Sequence, residues 1–169
     1  MGYYIIKMKP DFNKFKSPSL GPCDFEKVVN ELTDFINQRP DAKYSVIVGS
    51  DSEVRNGNAE FVSVIAVHRI GSGGRYFWTK FNSIVVHSMR DRIYREAMSS
   101  LDLAQKVVYS LKEKIADNKY GFEIHVDIGQ AGPTKDMIRE ITGMIRGYGF
   151  VPKIKPYAYG ASSVADKYA

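Results

Sequence analysis

A chain of 169 residues is long enough for one ordinary domain with its own core and too short for two comfortable ones. Hydrophobic residues at 44% and charged residues at 25% exclude a polar, disordered chain. The 24 basic residues against 19 acidic ones give a net charge of +5, which suits a polyanionic partner without demanding one.

No apolar run approaches the ~20 residues needed to cross a bilayer. The N-terminus, MGYYIIKMKP, lacks the longer apolar segment and small-residue cleavage site of a signal peptide, so a cytoplasmic location is the expectation. The single cysteine, Cys23, has no partner for an internal disulfide or a thiolate zinc site and reads as structural or incidental.

Residues 1–22 hold Pro10, Pro18 and Pro22, with Lys7, Lys9, Lys14 and Lys16 spread between aromatics, and read as an irregular N-terminal extension. A short strand over residues 3–8 fits the same stretch. The domain itself is expected over residues 23–169. From Asp24, a plausible N-cap, the apolar positions Phe25, Val28, Val29, Leu32, Phe35 and Ile36 recur at helical spacing, and Pro40 follows the end of that helix.

The period then changes. Residues 44–48 form an apolar, β-branched run leading into Gly49, Ser50 and Asp51, the pattern of a buried central strand ending in a polar loop. Residues 61–70 and 75–81 predict a second and a third strand, joined by a hairpin turn at Gly71-Ser72-Gly73-Gly74. Ser88 can cap a long helix reaching about residue 115, with Ile93, Ala97, Ala104, Val107, Val108 and Leu111 as its apolar stripe. A fourth strand is expected over residues 122–128, a helix capped by Thr134, a fifth strand over residues 150–154, and a last helix starting at Ser162 or Ser163. Apart from the leading helix the order is β-β-β-α-β-α-β-α, which implies a mixed sheet with an antiparallel edge and a parallel part crossed by helices.

In such sheets ligands sit beyond the carboxyl ends of the parallel strands, so acids there are the candidates for chemistry. Asp51 in VIVGSDS and Asp127 in FEIHVDIG stand at such ends, and they converge if their strands are neighbours. Each is also the kind of aspartate that caps a loop. On the long helix Glu96 lines up with Ser100, Ala104, Val107 and Leu111, toward the apolar side, whereas Asp91 aligns with Arg95, Met98 and Asp102 on a polar side. Glu96 is therefore the candidate there, against the plain alternative of a snorkelling surface acid. Asp166 falls in the first turns of the last helix, where a favourable dipole interaction is the simpler reading.

Converging carboxylates repel unless a counter-charge joins them. Magnesium or manganese supplies it, and two ions roughly 4 Å apart can activate water and stabilise the leaving oxygen of a phosphodiester. Lys153, Lys155 and Lys167, with Tyr157, Tyr159 and Tyr168 between them, could contact phosphates and stack on bases, or simply form a solvated basic surface. Lys135 after Gly129 and Gly132 could help an anion dock, although this glycine pattern matches no phosphate-loop motif. His125 could orient a ligand or be a packed strand histidine, and Phe77 and Trp78 read as core and edge packing.

Taken together, VGSDS, the FVSVIAVHRIGSGGRYFW hairpin, HVDIG and the closing KIKPYAYGASSVADKY resemble the ribonuclease H-like superfamily, and within it an uncharacterised, mainly bacterial family, over residues 24–169. The resemblance implies an α/β fold with a mixed five-stranded sheet flanked by helices, preceded here by an extra helix. It implies that Asp51, Glu96, Asp127 and Asp166 occupy the four metal-ligand positions for Mg²⁺ or Mn²⁺. It also implies nuclease chemistry on DNA or RNA by a two-metal mechanism, with a non-catalytic nucleic-acid-binding module of the same fold as the alternative. One departure stands out: Ser52, not glycine, follows the first aspartate. A third class, an interaction protein or a phosphotransfer relative, is argued against in its second form by the lack of an ATP-binding glycine loop.

Overall fold

The computed structural model describes residues 10–159 and, within them, only the backbone of residues 82–84. The strand expected over residues 3–8, the last helix, Asp166 and Lys167 lie outside the described residues.

Among the described residues seven strands form one mixed sheet: β1 (Phe15–Ser17), β2 (Gly21–Cys23), β3 (Tyr44–Arg55), β4 (Asn58–Arg69), β5 (Gly74–Val85), β6 (Gly121–His125) and β7 (Val151–Lys153), in the order β2-β1-β5-β4-β3-β6-β7. The long strands β3, β4 and β5 are antiparallel neighbours, and β6 and β7 continue parallel to β3. This is the mixed sheet expected from the sequence, with α1 (Phe25–Gln38), α2 (Met89–Lys112) and α3 (Ile138–Gly147) against it.

Two strands were not foreseen. The stretch read as irregular up to residue 22 contains β1 and β2, a small hairpin that joins the sheet through Lys16 opposite Trp78 on β5. Three-residue strands carry too few positions to display a period of two, so only their pairing reveals them. Among the described residues the sheet therefore has seven strands where five were expected.

The central strand also runs further than its apolar part. β3 continues through Asp51 to Arg55, because β4 supplies a partner at every step as far as Arg55 opposite Asn58. The connecting pair Asn56 and Gly57 has positive φ at both residues, 52° and 79°, the geometry that a tight two-residue hairpin demands. Asp51 thus lies within a strand and not in the polar loop expected after residue 48.

The helices follow their patterns closely. Asp24 Oδ1 accepts from the Lys27 amide at 2.8 Å, and Ser88 Oγ accepts from the Asp91 amide at 3.0 Å, so both expected N-caps are made. Thr134 is not a cap. A three-residue 3₁₀ turn, Lys135–Met137, precedes α3, and Thr134 Oγ1 instead accepts from the Gly129 amide at 3.2 Å, closing the loop after β6.

The main core lies between the sheet and the helices. Val46, Val48, Ile65, Val67 and Phe77 of the strands meet Leu32, Ala97, Leu103, Val107, Ile141 and Ile145 there. Each such fully buried aliphatic side chain contributes roughly 1.5–3 kcal/mol relative to exposure. Beside it Arg69 is buried as an anchor: its Nε donates to Tyr44 Oη at 3.1 Å, its Nη2 donates to the Phe35 carbonyl at 3.2 Å, and its guanidinium lies 4.1 Å from the Phe35 ring centroid. A smaller cluster of Val62, Val64 and Trp78 belongs to the opposite face of the sheet.

Candidate functional site

The pairing of β3 with β6 positions two of the four acids. The parallel register ends with Gly49 opposite His125, so Asp51 and Asp127 each stand two residues further on, at equivalent positions of adjoining chains. On β3, Ser50 and Ser52 bond to residues of α2 on either side of Asp51 in the chain. Asp127 lies just beyond the end of β6, in a tight turn where the Ile128 amide donates to the Val126 carbonyl at 2.9 Å. Asp51 and Asp127 are both half-buried.

Glu96 reaches the same end of the sheet from α2. Its side chain is almost completely buried, and Ser52 Oγ donates to its Oε1 at 2.6 Å. One helical turn on, Ser100 Oγ donates to Ser50 Oγ at 3.0 Å, and Ser50 and Ser63 share a further hydrogen bond at 2.8 Å. This buried chain of hydroxyls fixes α2 against β3 and β4 and sets the height of Glu96.

Burial pushes the Glu96 carboxyl up to about 8; the Ser52 hydrogen bond opposes this, the charge of Asp51 adds to it, Arg92 opposes it and Asp127 adds to it. The Arg92 Nε stands 3.9 Å from Glu96 Oε1, and that buried Nε has no hydrogen-bond partner. The charges of Asp51 on β3 and Asp127 just after β6 therefore both act on Glu96 of α2. Among the described residues, however, no group of three His, Cys, Asp or Glu side chains stands close enough to hold a metal ion as placed.

Asp127 carries its own cation: Lys155 Nζ lies 3.0 Å from its Oδ1. Of the other basic residues suggested by the sequence, Lys135 is exposed on its turn and Lys153 half-buried at the end of β7. Tyr157 and Tyr159 are exposed beside them. His125 is the packed kind: it is buried, its Nε2 pairs with Glu123 Oε2 at 3.1 Å, and its ring meets that of Tyr159 edge-on. Glu123 also accepts from Ser45 Oγ at 3.1 Å. Burial lowers the His125 pKa despite that carboxylate, which keeps the imidazole neutral near pH 7.

Asp91 is bound to Arg95 Nε at 2.9 Å and accepts from the His87 amide at the head of α2. Sequence reasoning missed Ser52 and Arg92 as the neighbours of Glu96, and it missed the pairing of Lys155 with Asp127. A signal for the first existed: polar residues at strand spacing, Ser50 and Ser52, match polar residues at helical spacing, Glu96 and Ser100.

A family model described as Ribonuclease H-like matches residues 27–169. The chain belongs to the ribonuclease H-like family. Among its relatives is the uncharacterized protein YkuK of Bacillus subtilis (strain 168), 32% identical over 167 residues, which covers 91% of this chain and 95% of that protein. Comparison with solved structures gave no match. The sheet order β5-β4-β3-β6-β7, with its antiparallel and parallel halves, is the ribonuclease H-like core of this chain, and β2-β1 extends it at one edge. Among the described residues no helix is long and apolar enough to cross a membrane.

Proposed function

We propose that this ribonuclease H-like protein is a divalent-metal-dependent nuclease, hydrolysing phosphodiester bonds of DNA or RNA in the cytoplasm. In this reading Asp51 and Asp127 anchor the ions, and Glu96 and Asp166 complete their coordination. The observation that carries it is the electrostatic meeting of Asp51, Glu96 and Asp127, drawn from β3, α2 and the end of β6, at one end of the sheet.

The donor set suits a hard cation. Its oxygens are all carboxylate, and burial, with the charges of Asp51 and Asp127 adding to it, holds the proton on Glu96 up to about pH 8. When bound, Mg²⁺ or Mn²⁺ would supply Lewis-acid activation of water and neutralisation of charge at the scissile phosphate. The chain does the positioning: Ser52 orients Glu96, the Ser50–Ser100 bond fixes the helix that bears it, and the parallel register pairs Gly49 with His125, two residues before Asp51 and Asp127. Lys135, Lys153, Lys155 and Lys167 would engage backbone phosphates.

The test is a panel of single- and double-stranded DNA and RNA incubated with Mg²⁺ and with Mn²⁺, run beside Asp51→Asn. Cleavage by the parent that the folded variant loses is expected; equal cleavage by both would dismiss the residue roles. One observation favours the alternative of a binding module without turnover, namely the Lys155 ammonium already seated on Asp127. Salt-dependent binding of nucleic acid with no cleavage in either metal is the outcome that would establish it.

A further inference from the structure

The partner of Asp127 is unusual in how firmly its backbone is held. The Lys155 amide donates to the Ile128 carbonyl at 2.9 Å, tying the segment after β7 to the residue next to Asp127. The side chain then passes over Gly129, where a Cβ would stand 3.0 Å from Lys155 Cβ and 3.5 Å from its Cδ. Glycine thus leaves the space through which the stem runs back to Asp127, and the ammonium ends 3.0 Å from Oδ1. A bare loop lysine has no such fixed path.

We infer that Lys155 is the resident counter-ion of Asp127, which a divalent cation must displace, so that this side chain sets the affinity of the site for metal. The inference rests on the reading of Asp127 as a ligand. Its physical basis is competition. The same carboxylate cannot give its full charge to a cation while an ammonium sits on it, and an ion placed on Asp127 repels that ammonium. Asp127 is half-buried, so the pair is screened less than one in open water, whereas the more exposed Lys155 head can swing into solvent at little cost.

The experiment is a Mn²⁺ titration of the full chain at low ionic strength, followed by calorimetry or by the electron paramagnetic resonance of free Mn²⁺, for the parent, Lys155→Met, Lys155→Arg and Asp127→Asn. Lys155→Met is expected to bind Mn²⁺ roughly three- to tenfold more tightly, the scale of one partly exposed charge pair. Lys155→Arg, which keeps the charge, should stay within about twofold of the parent, and Asp127→Asn should erase the difference. Equal or weaker binding by Lys155→Met overturns this inference alone. Failure of every protein to bind Mn²⁺ overturns the metal reading of the site and this inference with it.

Discussion

Ser52 on β3 and Glu96 on α2 are joined by a 2.6 Å hydrogen bond, and the next contact along the same line, Ser50 with Ser100, is 3.0 Å. The two spacings match. Two residues of strand rise about 6.6 Å and four residues of helix about 6 Å, so running in opposite directions the two elements keep step over both bonds. That matching is why Glu96 arrives at the strand position next to Asp51.

Replacing Ser52 by alanine removes the donor that serves a buried carboxyl. Ser52→Ala is expected to cost about 1–3 kcal/mol, the penalty for leaving a buried polar group unmet. Urea unfolding near pH 7 measures it, and an unchanged midpoint would show that Glu96 has found another partner.

The raised Glu96 pKa sets a direction for stability against pH. Its folded value of about 8 exceeds the ordinary 4.5, so below pH 4.5 both states hold the proton and the group has no effect. Between pH 4.5 and 8 the unfolded chain ionises while the folded one does not, and stability falls with rising pH; above 8 the loss is complete. Its full size is on the order of 5 kcal/mol. Glu96→Gln keeps an acceptor for Ser52 and removes the titration, so its stability relative to the parent should grow between pH 5 and pH 8. Parallel pH profiles for the two proteins would rule this out.

Gly74 makes a separate structural test, remote from the acids. It opens β5 opposite His68, and a Cβ there would come within 2.5 Å of the Val67 carbonyl oxygen, a backbone atom that cannot simply rotate away. Gly74→Ala should destabilise the hairpin of β4 and β5 by about 1–3 kcal/mol. Thermal unfolding checks it, and a variant as stable as the parent would mean that the strand end shifts freely.

Much of this was legible along the chain. The apolar spacing in α1 and α2 and their Asp24 and Ser88 caps are local features, and they are made as read. On α2, Glu96 is buried, whereas Asp91 is paired with Arg95. The reading faltered where structure depends on a partner strand. The polar half of β3 looks like a loop until β4 is laid beside it, and β1 and β2 have no pattern apart from each other and β5.

The sequence by itself determined the order of the longer elements from α1 to β7, the family to which they belong and the short roll of acids worth considering, because periodicity and capping act over a few residues. Only the tertiary structure decided which of those acids feel one another and what balances their charge. Burial of Glu96, the Ser52 bond to it and the Lys155 ammonium on Asp127 join residues 28 to 44 positions apart in the chain. Electrostatic effects of that kind follow distance in space and local solvation, neither of which a linear pattern encodes.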